Sequence, residues 1–228
     1  MFMKSYLLER VVQEYSRLFK PRWLFFDRIK NTERILELGC GTGVNYQILC
    51  KISSKAEFHG VDLLDQQNIM PGIIYQQLDL NEGVLPYRDE YFDAIIMSHV
   101  IEHLHYPLKL GNELNRILKK GGMIYIETPN WTTIFFPSFG FQREQGYPFN
   151  FYDDPTHVKP WSKQGLFLYL QNICGFNVEC IRTIRVISRI PWDIIKIIYG
   201  LIIGNRELVI NGFWNISGFC IYGVANKK

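Results

Sequence analysis

The stretch Ile35-Leu36-Glu37-Leu38-Gly39-Cys40-Gly41-Thr42-Gly43 decides the fold. A short apolar run carrying one acid enters glycines spaced G-x-G-x-G. The run has the character of a buried strand, and the glycines permit a tight turn whose backbone a ligand can approach closely. In an open parallel sheet, ligands settle at the carboxyl ends of the strands. Val44 stands where a dinucleotide-binding G-x-G-x-x-G carries its last glycine, and no Lys-Ser/Thr follows as in a phosphate loop. Glu37, just before the turn, is badly placed for a pyrophosphate and well placed for a cation.

Outward from this loop the chain alternates strands and helices. Residues 34–38 read as a strand and 44–51 as a helix. Further strands are expected over 56–64, carrying Asp62, and over 73–80, carrying Asp79. The nearly all-apolar 92–98 reads as a strand covered on both faces. A helix over 107–118 is expected to stop at Gly121-Gly122, with a strand over 123–128. Later come a helix (163–173), a strand (176–183), an apolar segment (184–217) and a last strand (218–226). Near the N-terminus, Leu7, Leu8, Val11, Val12, Tyr15, Leu18 and Phe19 recur at helical spacing within Tyr6 to Phe19, and Pro21 ends that helix. This rhythm predicts an α/β, doubly wound, mostly parallel seven-stranded sheet, with six parallel strands and 218–226 antiparallel. The 228 residues suit one domain over 1–228, with an N-terminal helical segment (1–30) and insertions at 131–162 and 184–217.

Composition narrows the class. Hydrophobic residues at 47% and charged residues at 21% are ordinary for a globular protein. A net charge of +3 is too weak to argue for nucleic acid. The five cysteines form no C-x-x-C pair, so reduced thiols in a cytosolic protein are expected. Charge enters every turn of the first twenty residues, against a signal peptide. No apolar run reaches the roughly 18–20 residues of a membrane span.

The acids of the sheet edge define the ligand. Asp62, at the tip of the second strand, can accept hydrogen bonds from ribose hydroxyls. Asp79, at the tip of the third, can face an adenine amino group. Together with Glu37 they repel a pyrophosphate and suit a ligand bearing an ammonium, a sulfonium, a ribose and an adenine. The stretches "ILELGCGTG", "GVDLL", "LDLNEGVLPYRDEYFDAIIMSHVIEHLHYP" and "ELNRILKKGGMIYIETPN", from about residue 33 to 130, resemble the class I S-adenosylmethionine-dependent methyltransferases. That resemblance implies a Rossmann-like methyltransferase fold and S-adenosylmethionine as cofactor. It implies that Glu37 holds the glycine loop or reaches the methionine ammonium, while Gly39, Cys40, Gly41 and Gly43 line the methionine part. Asp62, with Leu63 beside it, takes the ribose, Asp79 and Leu80 take the adenine, and Ser98 borders the end of the fourth strand.

Methylation of a hydroxyl also needs its proton removed, and a histidine titrates near neutral pH. His99, His157 and Asp154 are the candidate catalytic residues. In "YDDPTHVKPWS" (152–162), Asp153, Asp154 and His157 either form an acid–base pair or sit in a proline-fixed loop. His103 reads as structural, and a helix starting near Val100 would let it and Glu102 cap or line the surface. On that helix His99, Glu102 and His103 share one face. Some quinone-biosynthesis O-methyltransferases are similar here and hold a divalent ion, but with an acid where this chain has His99, so no metal is expected.

The aromatic, proline-bearing 131–162 reads either as a cap over an apolar or sugar-like substrate or as a small secondary core. The apolar 190–204, preceded by Arg182, Arg185 and Arg189, suits contact with anionic lipid, a buried helix or a dimer interface. The sequence thus predicts a cytoplasmic S-adenosylmethionine-dependent methyltransferase acting on oxygen of a small-molecule, sugar or lipid-linked acceptor. Peripheral membrane contact through 184–204, a homodimer and no nucleic-acid partner complete the expectation. The alternatives are a tRNA or protein methyltransferase and a catalytically inactive cofactor-binding module.

Overall fold

In a computed structural model of the protein, residues 21–53, 55–138 and 148–228 are described. The helix expected over Tyr6 to Phe19 lies outside them. The acid-bearing run forms β1 (Arg34–Leu38), which pairs in parallel with β2 (Glu57–Asp62) on one side and β4 (Phe92–Ser98) on the other. Beyond β2 lies β3 (Ile74–Gln77), and beyond β4 lies β5 (Leu118–Pro129). The sheet closes with β7 (Cys220–Asn226), antiparallel to β5 and to the edge strand β6 (Asn177–Thr183). The order is therefore β3-β2-β1-β4-β5-β7-β6. Since β6 runs opposite to β7, it shares the direction of the first five strands, as the sequence predicts.

Strand side chains alternate between faces, and each face here has its own apolar cover. On one face Ile35, Phe58, Ala94, Ile96 and Tyr125 pack against Phe25, Phe26 and Ile29 of α1 (Pro21–Ile29) and Leu49 of α2 (Val44–Ile52). On the other, Leu36, Leu38, Ile95, Met97, Ile124 and Ile126 meet Leu110, Leu114 and Ile117 of α3 (Pro107–Ile117) and Leu166 of α4 (Lys163–Leu168). Residues covered on both faces of the sheet explain why β4 reads as a continuous apolar run. Burying each such side chain contributes about 1.5–3 kcal/mol before entropy is counted.

Three differences from the sequence reading have physical causes. Helix α3 ends at Ile117, and β5 begins at once, so Gly121-Gly122 do not stop a helix. They lie in a bulge in which Leu118 to Met123 oppose only Phe92 to Ala94, with Gly121 at φ 75°. After α4 the chain closes a wider turn, Cys174 N–H donating to Tyr169 O at 3.0 Å. The apolar 184–217 splits into α5 (Ile190–Ile203) and α6 (Arg206–Ser217), because Gly204 takes a left-handed φ of 68° between them. A β-carbon on Gly212 of α6 would lie 2.8 Å from Asp193 O, so the two helices touch through backbone.

Candidate active site

The glycine loop leaves β1 at the carboxyl edge. Gly39, Gly41 and Gly43 have φ of 68°, 52° and 102°, which favours glycine at each position. At Gly39 a β-carbon would fall 2.2 Å from Val100 Cγ2, so the bend presses against the end of β4. A β-carbon on Gly41 would meet nothing within 4 Å among the described residues, its chain neighbours aside. Asp62 reaches across from β2. Its Oδ2 accepts from Gly41 N at 2.7 Å, and its Oδ1 accepts from Leu63 N at 2.8 Å and Leu64 N at 3.2 Å. An ionised carboxylate has about four acceptor positions, so capacity remains for hydroxyl donors. Leu63 is exposed beside it. Asp79 is exposed and accepts from Asn81 N at 2.9 Å, opening a short turn that buries Leu80.

Glu37 is buried in β1 and accepts a hydrogen bond from Asn45 Nδ2 at one oxygen. Its other oxygen, Oε2, has no hydrogen-bond partner among the described residues. Burial pushes this carboxyl up to about 7, against the pull of Asn45 and Arg22. An unsatisfied buried carboxylate oxygen beside an open glycine bend fits an ammonium group. Cys40 contributes backbone only: its thiol packs under Gly60 and is pushed up to about 12, first by burial and then by Asp62 and Glu37.

A second group of charges sits at the ends of β4 and β5. His99 follows β4 in a left-handed conformation, φ 55°, uncommon for a residue with a side chain. Its Nδ1 lies 3.3 Å from Glu102 Oε1, and its Nε2 lies 3.3 Å from Glu127 Oε1 and 3.9 Å from Cys220 Sγ. Burial opposes a charge on this ring, but Cys220 and the two carboxylates outweigh it and hold His99 well above its ordinary 6.5. Glu127 is itself held far below the usual carboxylate range. Its burial is overcome by Arg22, at 2.9 Å, with His99 and Tyr125 adding to the effect. Arg22 Nη1 also donates to Asn45 Oδ1 at 3.4 Å. One chain of polar contacts therefore runs from Glu37 through Asn45, Arg22 and Glu127 to His99. The Ser98 hydroxyl, one residue before, is buried and has no hydrogen-bond partner among the described residues.

The stretch after Val100 is a single tight turn, Ile101–His103, rather than a helix. Glu102 consequently does not line the surface. It is fully buried, accepts from Thr128 Oγ1 at 3.0 Å, and its backbone carbonyl accepts from Val158 N at 2.8 Å. His103 Nδ1 lies 2.9 Å from Thr156 Oγ1, and its ring lies beside that of His157, tilted by 55° with 4.7 Å between centroids. His157 Nδ1–H donates to Phe151 O at 2.6 Å. Its Nε2 is 4.0 Å from Asp154 Oδ2, too far for a hydrogen bond. Burial lowers its pKa, and Asp154 spends Oδ1 on Thr156. Among the described residues, two clusters bring three metal-capable atoms within 4.8 Å of one another: His99, Glu127 and Cys220, and Glu102, His103 and His157. In the first, Glu127 is already engaged by Arg22 and Tyr125, and His99 favours its protonated form, which cannot ligate.

Glu127, Arg22 and Asn45 were not singled out from the sequence. For Glu127 the signal was present: an isolated acid inside the apolar "MIYIETP", the same oddity that marks Glu37 in "ILELG".

A mostly parallel seven-stranded sheet with an antiparallel β7, and an acid-rimmed glycine bend at its carboxyl edge, define the class as Rossmann-like methyltransferases. The family described as "Methyltransferase domain" matches residues 3–181. A probable S-adenosylmethionine-dependent methyltransferase of Mycolicibacterium smegmatis is 27% identical over 148 residues, 64% of this chain and 52% of that one. A mitochondrial ubiquinone biosynthesis O-methyltransferase of Dictyostelium discoideum is 30% identical over 116 residues, 43% of this chain and 36% of that one. The matches span about half of the first of these relatives and about a third of the second, 52% and 36% of their lengths. Among solved structures, a SAM-dependent methyltransferase from Archaeoglobus fulgidus superposes with a TM-score of 0.61, covering 98% of this chain and 99% of that one. At 23% identity this likeness speaks for the fold. The chain belongs to the S-adenosylmethionine-dependent methyltransferase family.

Proposed function

We propose that the protein methylates an oxygen atom of a small-molecule, sugar or lipid-linked acceptor, with S-adenosylmethionine held on the glycine bend and the acceptor at the end of β4. When bound, the donor supplies an electrophilic methyl group on a sulfonium. Glu37 Oε2 receives its ammonium, the Asp62 carboxylate its ribose hydroxyls, and Asp79 and Leu80 flank its adenine. Bringing donor and acceptor into contact supplies much of the rate. His99 handles the proton of the acceptor hydroxyl at Nε2, whose neighbour Glu127 is already satisfied by Arg22 and Tyr125. The single observation that carries this role is the left-handed His99 with a buried carboxylate at each ring nitrogen. A conformation of that cost persists only where the surroundings enforce it, and such residues cluster at active sites.

The sign of the electrostatics sets the pH dependence. A base must be neutral to accept a proton, and His99 is held charged above its ordinary 6.5. The rate therefore rises with pH on the alkaline side of 6.5. His157, neutral and tied to Phe151, orders the loop that closes over Glu102.

The test is transfer of a labelled methyl group from S-adenosylmethionine into fractionated cell extract. Label is expected in the solvent-extracted small-molecule and lipid fraction, as a base-stable ether or base-labile ester. Label confined to precipitated protein or RNA would replace this reading with a macromolecular acceptor. Donor binding without turnover on any fraction would make the protein a binding module.

A further inference from the structure

Helix α5 presents an apolar face that nothing in the described fold covers. Trp192, Ile194, Ile195, Ile198, Tyr199, Leu201, Ile202 and Ile203 are all exposed large hydrophobics, from 47% for Ile194 to 76% for Ile202. At about 100° per residue these positions sweep roughly 200° of the helix circumference. No charged side chain falls in that arc. The two charges of α5 lie outside it. Asp193 is fully buried against Arg189, at 3.0 Å, and against Asn215 of α6, at 2.6 Å. Lys196 is half-buried at the border of the arc.

A helix packed on a protein surface needs an apolar stripe of about 100° or somewhat more. An arc twice as wide suits a medium that surrounds the helix to half its girth. Helix α5 spans 14 residues, about 21 Å, short of the roughly 30 Å of a bilayer core. No helix among the described residues is long and apolar enough to cross a membrane. The geometry is that of a helix lying in the interface plane, with Trp192 and Tyr199 as the amphipathic rings favoured at headgroup level.

Charge points to the lipid class. On the segments flanking α5, Arg182, Arg185 and Arg206 are exposed, against the single exposed acid Glu207. The α5–α6 pair also rests on the site. Phe213 of α6 packs on Phe149 and Phe136 of the 131–162 segment, at 4.5 and 5.2 Å between centroids, and Cys220, at the start of β7, lies beside His99. We propose that the outward face of α5 is a membrane-docking surface, seated in the headgroup region of an anionic bilayer, which holds the carboxyl edge of the sheet close to the lipid.

The experiment is co-sedimentation of the full chain with vesicles containing about one third phosphatidylglycerol, against vesicles of pure phosphatidylcholine, at low salt. The wild type should pellet with the anionic vesicles. The double variant Ile198→Glu plus Ile202→Glu changes two exposed positions and should lose at least about tenfold in partitioning, with melting temperature and donor binding unchanged. A wild type that stays in the supernatant with both vesicles overturns the proposal, as does a variant that binds within about twofold of it. Sedimentation equilibrium showing a dimer that the double variant dissociates, with no vesicle binding, overturns it in favour of a second copy. Calorimetry of donor binding is read separately: intact donor binding with no vesicle binding sinks this inference alone, leaving the methyltransferase reading standing.

Discussion

The two halves of the sheet's carboxyl edge solve different electrostatic problems. At β1 and β2 the acids are spaced apart and use uncharged partners, backbone N–H groups for Asp62 and the Asn45 amide for Glu37. Asp62 is satisfied by N–H groups of Gly41, Leu63 and Leu64, and Glu37 keeps one oxygen unpaired. At β4 and β5 the acids lie against cations: Glu127 bonds Arg22, and His99 sits 3.3 Å from Glu127 and 3.3 Å from Glu102, whose Oε1 makes no hydrogen bond among the described residues. The first half combines the buried Glu37 carboxyl with the Asp62 carboxylate and holds no cation of its own beside Asp62 among the described residues. The second is internally neutralised, and what it offers is a histidine whose protonation is set by its neighbours. On the proposed function, the first half selects the cationic donor and the second handles the acceptor proton.

The largest expected effect tests the second half. His99→Asn keeps a residue that tolerates the left-handed backbone and removes the ring. Turnover should fall by about 10²–10⁴-fold, the usual contribution of a positioned acid or base, while donor affinity stays within about threefold. Equal losses in both would dissolve the separation between the halves. Asp62→Ala tests the first half. A hydrogen bond to a charged group is worth about 1.5–3 kcal/mol, so losing two hydroxyl contacts should weaken donor binding by about a hundredfold or more in calorimetry. Unchanged binding would remove Asp62 from the ribose site.

Glu127→Gln reaches both halves through Arg22. Breaking a buried ion pair costs about 3–5 kcal/mol, and here about 2–3 kcal/mol is expected, because the Arg22 side chain remains 26% exposed. Thermal unfolding reads that loss. The same substitution removes one of the carboxylates that hold His99 charged, so the alkaline rise of the rate should move to lower pH. A profile that stays put would show that Glu127 does not act on His99. The subtlest effect belongs to Glu37. With its carboxyl at about 7, roughly half the molecules carry a proton there at neutral pH, and an ammonium favours the ionised form. Donor binding should therefore release about half a proton near pH 7 and tighten as pH rises from about 6 to 8. Calorimetry in buffers of different ionisation enthalpy measures this, and proton uptake would contradict the ammonium role.

How much of this was legible depended on distance along the chain. Glu37, the glycines and Asp62 lie within one strand–loop–helix–strand unit, and their relation follows from local geometry alone. Between an acid–base pair and a proline-fixed loop at 152–162 the sequence leaves the choice open; in the fold Thr156 takes Asp154 Oδ1, the Phe151 carbonyl takes His157 Nδ1–H, and the remaining His157 Nε2 and Asp154 Oδ2 stand 4.0 Å apart. Glu102, read as a surface residue on a helix, is buried, because the chain makes one tight turn and the loop at 158–159 folds over it. Arg22 and Glu127 are 105 residues apart, and no periodicity connects them.

The sequence by itself determined the strand–helix alternation, the glycine bend and the acids at strand ends, because those rest on side-chain period and backbone permissiveness, which are local. Only the tertiary structure decided which charges neutralise one another, which carboxyls keep an unbonded oxygen among the described residues, and which face of α5 those residues leave uncovered. Those depend on desolvation and on Coulomb interactions, which are set by distances in space between residues the chain order keeps far apart.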